Sequence, residues 1–171
     1  MLQPRPKVEK IDEAYDAAGG ATGIGAATVK ILSKNGAQVV MGDINAEAAQ
    51  KLCEELEGVS FVPCDVTKYG DIWNLFKVAF DKYKRIDSAI SCAGILEQGN
   101  WFDPNLTIDS VKDDSGNPKT LDVNVIGSLH FARIAAVFLR DGRQEGQDKS
   151  LILLSSVNAF RESPGLYLYQ V

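Results

Sequence analysis

The sequence has no basic surplus, no long apolar run and a single histidine. Its 18 Lys and Arg are outnumbered by 23 Asp and Glu, which gives a formal net charge of -5. A chain of this charge offers no face for nucleic-acid phosphate. No stretch reaches the roughly 18 apolar residues of a membrane span, and the first fifteen residues lack an apolar signal core. We therefore expect a cytoplasmic protein with neither a nucleic-acid nor a membrane partner.

Cysteine and histidine are too sparse to form a metal centre. Cys53, Cys64 and Cys92 are far apart, show no C-x-x-C spacing, and each lies in or beside an apolar run. This pattern is typical of reduced core cysteines in an intracellular protein. No second ligand or base stands at helical spacing from His130, which indicates a packing role. The sequence predicts no metal site.

An apolar strand is also lacking where one is needed. A glycine-rich phosphate loop normally follows a buried parallel strand, which reads as a run of Val, Ile and Leu. Residues 10–17 instead read Lys-Ile-Asp-Glu-Ala-Tyr-Asp-Ala. We therefore predict an atypical N-terminal segment over residues 1–17, a partial nucleotide-binding domain over residues 18–171, and no first strand.

The strongest positive feature is the run Gly-Gly-Ala-Thr-Gly-Ile-Gly at residues 19–25, which leads into a helical pattern. Glycine lets the backbone turn tightly and approach a ligand, and the first N–H groups of the helix then face an anion. This arrangement is typical of a pyrophosphate site. By itself the spacing also fits a glycine-rich turn at the start of a surface helix.

Beyond this run, helical and strand-like segments alternate with short links and without repeats. Helices are predicted over residues 24–35, 46–56, 69–83 and 120–139, strands over 38–42, 60–63, 88–91 and 151–154, and a long polar loop over 97–119. Such alternation predicts a Rossmann-type, doubly wound parallel sheet with helices on both faces, here without its first and C-terminal strands. The helix over 120–139 is apolar on most sides, which favours a homo-oligomer.

Asp43 follows the predicted strand 38–42, eighteen positions after Gly25. An acidic residue near this spacing accepts hydrogen bonds from an adenosine ribose. Its charge repels a 2′-phosphate, and Ile44 and Asn45 supply no cation. The sequence therefore predicts NAD rather than NADP, with an aspartate that only caps a turn as the alternative.

Several motifs together extend this interpretation over nearly the whole chain. They are the glycine run, Asp43, Cys-Asp-Val-Thr at 64–67, Ser-Cys-Ala-Gly at 91–94, Asn124, and Ser156 thirteen positions before Tyr169. In combination they resemble the short-chain dehydrogenase/reductase family. The resemblance implies an oxidoreductase that moves a hydride between NAD and a secondary alcohol or ketone.

The resemblance also implies site residues. Asn124 holds a water in a proton relay, Ser156 hydrogen-bonds the substrate oxygen, and Tyr169 is the general acid/base, with Tyr167 as the alternative. Asp65 and Val66 contact the adenine, and Ala93 and Gly94 approach its ribose. The implied cofactor-binding set is Gly19, Gly23, Ile24, Gly25, Asp43, Asp65, Val66, Ala93 and Gly94.

The chain departs from the family pattern at its C-terminal side. The family places a lysine four positions after its tyrosine, beyond the end of these 171 residues. A phenol of pKa about 10 is only ~0.1% ionised at pH 7, so we expect impaired alcohol oxidation in this chain. Two alternatives stay open: a non-catalytic dinucleotide-binding protein or truncated gene product, and another Rossmann enzyme such as a methyltransferase.

Overall fold

A computed structural model describes residues 13–170. Five parallel strands form one sheet in the order β3-β2-β1-β4-β5. Their bounds are β1 Ala14–Ala18, β2 Gln38–Asp43, β3 Val59–Pro63, β4 Ser88–Ser91 and β5 Ser150–Leu153. The order reverses between β1 and β4, which creates a crevice at the carboxyl ends of these strands. The predicted doubly wound parallel sheet is confirmed.

The predicted absence of a first strand is wrong. Ala14–Ala18 forms the central strand β1, paired with β2 on one side and β4 on the other. The predicted boundary after residue 17 therefore cuts through a strand, while residues 1–12 lie outside the described part of the chain. Because the strand consists largely of Asp16 and three alanines, it lacks the run of Val, Ile and Leu that indicates a buried strand. Pairing with two neighbouring strands overrides this weak intrinsic propensity.

Helices cover both faces of the sheet. They are α1 Gly23–Lys34, α2 Ala46–Glu55, α3 Tyr69–Tyr83, α4 Ile108–Asp113, α5 Lys119–Leu121 and α6 Ser128–Arg140. One core lies beneath α3 and α6 and centres on Phe76 and Phe131, whose rings lie 5.0 Å apart. The second lies beneath α1 and α2 around Val29 and Met41. The amphipathic helices α1, α2, α3 and α6 thus bury their apolar stripes against the sheet.

The segment after β4 differs from the prediction in two places. Residues 97–119 contain the short helix α4, begun by a capping box of Thr107 and Ser110. The predicted helix 120–139 is a continuous helical stretch, Lys119–Arg140, interrupted by a π-helical segment, Asp122–Gly127. This stretch is long and apolar enough to cross a membrane by length and composition alone, a test that core helices also pass. Here Phe131 and Ile134 are buried against α3 and the sheet.

Within the described residues, β5 is the edge strand on one side of the sheet. Its Leu151, Ile152 and Leu153 remain between a third and a half exposed. No strand beyond β5 occurs in residues 13–170. β5 nevertheless places the residues that follow it, including Ser156, at the carboxyl edge of the sheet.

Candidate active site

A cleft of about 820 Å³ opens at the carboxyl edge of the sheet. Strand ends, the glycine loop and residues after β5 line it together. Every predicted site residue contributes to its wall: Gly19, Gly23, Ile24, Gly25, Asp43, Asp65, Val66, Ala93, Gly94, Asn124, Ser156 and Tyr169. The topology thus gathers residues that are up to 150 positions apart in sequence, from Gly19 to Tyr169.

The glycine loop presents free N–H groups to this cleft. The first internal hydrogen bond of α1 runs from the Ala26 N–H to the Thr22 carbonyl, and Thr22 makes no side-chain cap. The N–H groups at the start of the helix therefore remain for an anion. Gly23 has φ +53° and nothing within 4 Å of where a Cβ would stand, so the space beside it is open.

Close backbone packing holds the loop in place. A Cβ on Gly25 would lie 1.9 Å from the Gly19 carbonyl oxygen, and one on Gly19 would lie 2.5 Å from the Ala93 nitrogen. A side chain at Gly19 would therefore push the loop away from the backbone that follows β4, and one at Gly25 would separate α1 from Gly19. Gly19 thus brings the loop against Ala93, which lines the same cleft as Gly94.

Asp43 ties the glycine loop to the end of β2. Its Oδ2 accepts a hydrogen bond of 2.9 Å from the Ala21 N–H, and its Oδ1 accepts one of 2.9 Å from the Asn45 N–H. The residue is buried, with 8% of its surface exposed, and it lines the cleft. Each carboxylate oxygen keeps a second lone pair, so Asp43 can accept ribose hydroxyls while it anchors the loop.

Asp65 is fixed at the end of β3 as an ionised acceptor. Its Oδ1 accepts hydrogen bonds from the Thr67 hydroxyl at 2.7 Å and the Thr67 N–H at 3.0 Å. These bonds, helped by the nearby Lys68 ammonium, hold the pKa of Asp65 below its ordinary value. The neighbouring Val66 is buried against Gly127. The pair forms a polar and an apolar wall suited to a flat heterocycle.

Asn124 holds the backbone of the segment that follows β4. It lies in the π-helical segment, and its amide donates to the Ile95 carbonyl at 2.9 Å and accepts from the Ile95 N–H at 2.9 Å. The side chain therefore satisfies the backbone of Ile95 in both directions. π-helical segments recur at functional sites, and this one turns Asn124 toward the cleft.

Ser156 and Tyr169 reach the cleft from the segment after β5. Ser156 begins the 3₁₀ turn Val157–Phe160, and its Oγ accepts the Asn158 N–H at 3.2 Å. Tyr169 lines the cleft, whereas the ring of Tyr167 packs edge-on against Phe102 with the centroids 4.7 Å apart. The structure thus brings Tyr169, rather than Tyr167, to the predicted site.

Some residues that line the cleft could not be recognised as site residues from the sequence. Lys119, at the start of α5, lines the cleft, although it lies in a polar stretch that predicts only a loop. Cys64 and Cys92 also line it; the described cysteines are free, as expected, and burial raises the pKa of both thiols, that of Cys64 to about 12. Among residues 13–170 no group of His, Cys, Asp and Glu could hold a metal ion.

Outside the cleft, His130 packs as predicted. Its ring meets the ring of Tyr69 edge-on at 5.1 Å, and its Nδ1 is buried.

Comparison with known proteins agrees with this geometry. The family profile described as short chain dehydrogenase matches residues 17–170. The chain belongs to the short-chain dehydrogenase/reductase family. It is 30% identical over 154 residues to 3-hydroxyacyl-CoA dehydrogenase type-2 of Drosophila melanogaster, a match that covers 88% of this chain and 60% of that protein.

Two further comparisons place this short-chain dehydrogenase/reductase among its relatives. It is 34% identical to short chain aldehyde dehydrogenase 1 of Euphorbia lathyris, over 90% of this chain and 51% of that one. The crystal structure of gox2181 superposes with a TM-score of 0.78 at 23% identity, covering 95% of this chain and 62% of that one. The latter likeness supports the fold. The chain thus spans between half and two thirds of the length of these relatives.

Proposed function

We propose that this short-chain dehydrogenase/reductase binds NAD in the cleft and transfers a hydride between NAD and a secondary alcohol or ketone. The observation that carries the proposal is the meeting of Ser156 and Tyr169 with the glycine loop, Asp43 and Asp65 on one cleft. The first two residues suit an alcohol or carbonyl oxygen, and the others suit a dinucleotide. Neither half alone points to hydride transfer.

The residues present fit a dinucleotide. Free N–H groups of α1 beside the open space at Gly23 suit a pyrophosphate, and the Asp43 carboxylate suits ribose hydroxyls. Asp43 lies beside Ile44 and Asn45 in the cleft wall, without a cation adjacent in sequence to receive a 2′-phosphate. This arrangement supports NAD over NADP. When bound, NAD supplies the hydride acceptor or donor.

The protein's own part in the reaction is proton transfer and orientation. We assign Ser156 to hold the substrate oxygen through its hydroxyl and Tyr169 to take the proton from an alcohol, or return it to a ketone. Asn124 orients the Ile95 backbone in the wall of the cleft. A water held near Asn124 then links the tyrosine hydroxyl to solvent.

A second candidate is dinucleotide binding without turnover. It is favoured by a contrast in how the two halves of the site are held. The glycine loop and Asp43 are fixed by hydrogen bonds to buried strands, whereas Tyr169 follows β5 in a segment with little regular structure. Binding therefore depends on the more rigid half of the site.

The test is a titration of the purified chain with NADH, NADPH and S-adenosylmethionine, followed by assays with a panel of secondary alcohols and ketones. We expect NADH to bind preferentially, and Tyr169→Phe to lower turnover by about 100-fold or more while leaving NADH binding unchanged. Tyr167→Phe is the matched control. NADH binding with no turnover would favour the second candidate, and preferential binding of S-adenosylmethionine would contradict both.

A further inference from the structure

The segment that carries Tyr169 has one long-range hydrogen bond among the described residues. Within residues 161–170 the other bonds are local: Ser163 bonds Asn158, and the Leu166 N–H and the Gln170 amide both donate to the Ser163 carbonyl. The long-range bond runs from the Leu168 N–H to Glu97 Oε2, at 2.6 Å. It joins positions 71 residues apart, directly before Tyr169.

Glu97 itself stands on a firmly held stretch of chain. Two residues before it, both backbone groups of Ile95 are bonded to the Asn124 amide at 2.9 Å. One residue before it, the Leu96 carbonyl accepts a hydrogen bond from the Thr120 hydroxyl at 3.4 Å. The helical stretch Lys119–Arg140 thus fixes the backbone that presents the Glu97 carboxylate.

A second contact holds the same two segments together. The ring of Tyr167 lies edge-on to that of Phe102, with centroids 4.7 Å apart and planes at 88°. An edge-to-face aromatic pair is favourable beyond the burial of its rings. It does not fix direction along the chain as a hydrogen bond does, so the Glu97 bond decides where residue 168, and with it Tyr169, is placed.

We propose that Glu97 is a positioning residue, whose carboxylate holds the Leu168 N–H and thereby sets the place of the Tyr169 hydroxyl in the cleft. The proposal rests on the acid/base role assigned to Tyr169 above. Residue 97 has no such assignment from the sequence, where it reads as the first residue of a polar loop. Its contact with Leu168 depends on the path of two loops.

The carboxylate has a property that makes the proposal testable. Its Oε2 accepts the Leu168 N–H, while its Oε1 is buried and has no hydrogen-bond partner among the described residues. Glu97→Gln keeps one carbonyl oxygen for the Leu168 N–H, and Glu97→Leu keeps none. Because a bond to a carboxylate is stronger than one to a neutral amide, Gln should restore much of the bond but not all of it.

The first measurement is hydrogen exchange of the Leu168 amide by NMR in the 171-residue chain. We expect exchange about tenfold faster in Glu97→Leu, an intermediate rate in Glu97→Gln and no change in Glu162→Leu, which removes an exposed carboxylate from the same segment. Unchanged amide shifts in β1 and β2 show that the variants are folded. Equal Leu168 exchange in all four proteins would overturn the proposal.

The second measurement reports on the surroundings of the Tyr169 ring. With 3-fluorotyrosine at position 169, we expect the fluorine resonance to broaden or shift in Glu97→Leu and to return toward the parent signal in Glu97→Gln. In a turnover assay kcat should fall about tenfold in Glu97→Leu, with NADH affinity unchanged. Faster Leu168 exchange with an unaltered fluorine signal would overturn the positioning role.

Failure of the proposed function is separable from failure of this proposal. A chain that binds no NADH, or binds it without turnover, contradicts hydride transfer. The exchange and fluorine measurements need neither cofactor nor activity, so they decide the role of Glu97 in either case.

Discussion

Two aspartates of the same sheet are almost equally buried, but one has ionic and hydrogen-bond partners and the other has none among the described residues. Asp87, just before β4, is 2% exposed and lies at the amino edge of the sheet, and Asp16, in the middle of β1, is 0% exposed. Asp87 Oδ1 accepts hydrogen bonds from Lys149 at 2.7 Å and Arg85 at 2.8 Å, and its Oδ2 accepts one from the Ala14 N–H at 2.9 Å. Neither oxygen of Asp16 has a partner among the described residues.

The place of each aspartate in the sheet explains why Asp87 has partners and Asp16 has none among the described residues. The amino edge joins the starts of β1, β4 and β5, so basic side chains can reach Asp87 from neighbouring links. The register neighbours of Asp16 are Val40 and Ala89, which belong to the apolar core beneath α3 and α6. Among residues 13–170 no basic side chain forms an ion pair or hydrogen bond with it. Burial therefore raises the pKa of Asp16 well above its ordinary value.

Burial alone therefore does not decide whether a carboxylate stabilises or destabilises the fold. Burial by itself raises the pKa of Asp87, but hydrogen bonds from Arg85, Lys149 and Ala14 outweigh it and leave the pKa lowered. The ionised form of Asp87 is thus stabilised in the fold. For Asp16 the fold favours the neutral acid, and the carboxyl group weakens the sheet it lies in.

The largest expected effect on stability follows from removing the negative charge of Asp87. Asp87→Asn should lower the free energy of unfolding by about 3 to 5 kcal/mol, because the Lys149 ammonium, whose side chain is 8% exposed, loses its counter-charge. Urea unfolding followed by circular dichroism measures it. Asp81→Asn removes a surface ion pair with Lys77 and serves as control, with no measurable change expected. Equal effects of both substitutions would contradict the role given to burial.

Replacing the unpaired carboxylate should have the opposite sign. Asp16→Val should raise the free energy of unfolding at pH 7 by about 2 to 3 kcal/mol, since it removes an unsatisfied buried group and places a strand-favouring residue in the apolar core. The same urea experiment measures it. Asp16→Asn keeps the shape and the unsatisfied polar atoms, so it should recover only part of the gain. A destabilised Asp16→Val protein would show that the carboxyl group has a partner after all.

The two aspartates also predict opposite pH dependences. The pKa of Asp16 is raised by folding, so its penalty is absent below its unfolded pKa of about 3.9 and grows as the pH rises above that value. The pKa of Asp87 is lowered, so its contribution is present above about pH 3.9 and is lost as the pH falls further. Each group contributes at most about 1.4 kcal/mol per pH unit.

Together they place the stability maximum of these two groups near pH 4. Unfolding free energies measured from pH 3 to pH 8 should decline above pH 4 in the parent chain. In Asp16→Val this decline should disappear, whereas the loss below pH 4 should persist. A parent chain whose stability rises steadily from pH 4 to pH 7 would contradict the assignment for Asp16.

The smallest effect concerns Asp43, a third buried carboxylate that is satisfied by backbone alone. Asp43→Asn replaces one acceptor oxygen by an NH₂ group that faces the Ala21 or Asn45 N–H, so the free energy of unfolding should fall by about 1 kcal/mol. Calorimetric titration should show NADH affinity lowered about tenfold through the displaced glycine loop and the lost ribose acceptor. Loss of stability without loss of affinity would limit Asp43 to an anchoring role.

Much of the site was predictable because it consists of strand ends. In a parallel sheet the residue that follows each strand lies at one edge, so locating Asp43, Asp65 and Gly94 after their strands was enough to bring them together. The glycine run was visible for a similar local reason. Each of its four glycines occupies a closely packed position or a left-handed turn that other residues rarely adopt.

The first strand could not be recognised in the same way. Its buried residues are small or charged, and a strand of Ala, Tyr and Asp has no intrinsic signal. Two partners already in place impose its conformation. The contact of Glu97 with Leu168 was also out of reach, because it depends on the path of irregular segments. The spacing from Ser156 already favoured Tyr169 over Tyr167, and the structure places Tyr169 in the cleft wall.

By itself the sequence determined the order of helices and strands, the loop that faces an anion, and the motifs that assign the family. These features are local, since each follows from periodicity or from a few adjacent residues. The tertiary structure decided which carboxylates are paired, where β1 lies and which tyrosine reaches the cleft. Those outcomes depend on contacts between segments up to about 70 residues apart, such as Glu97 with Leu168 and Ala14 with Asp87, and no local pattern specifies such contacts.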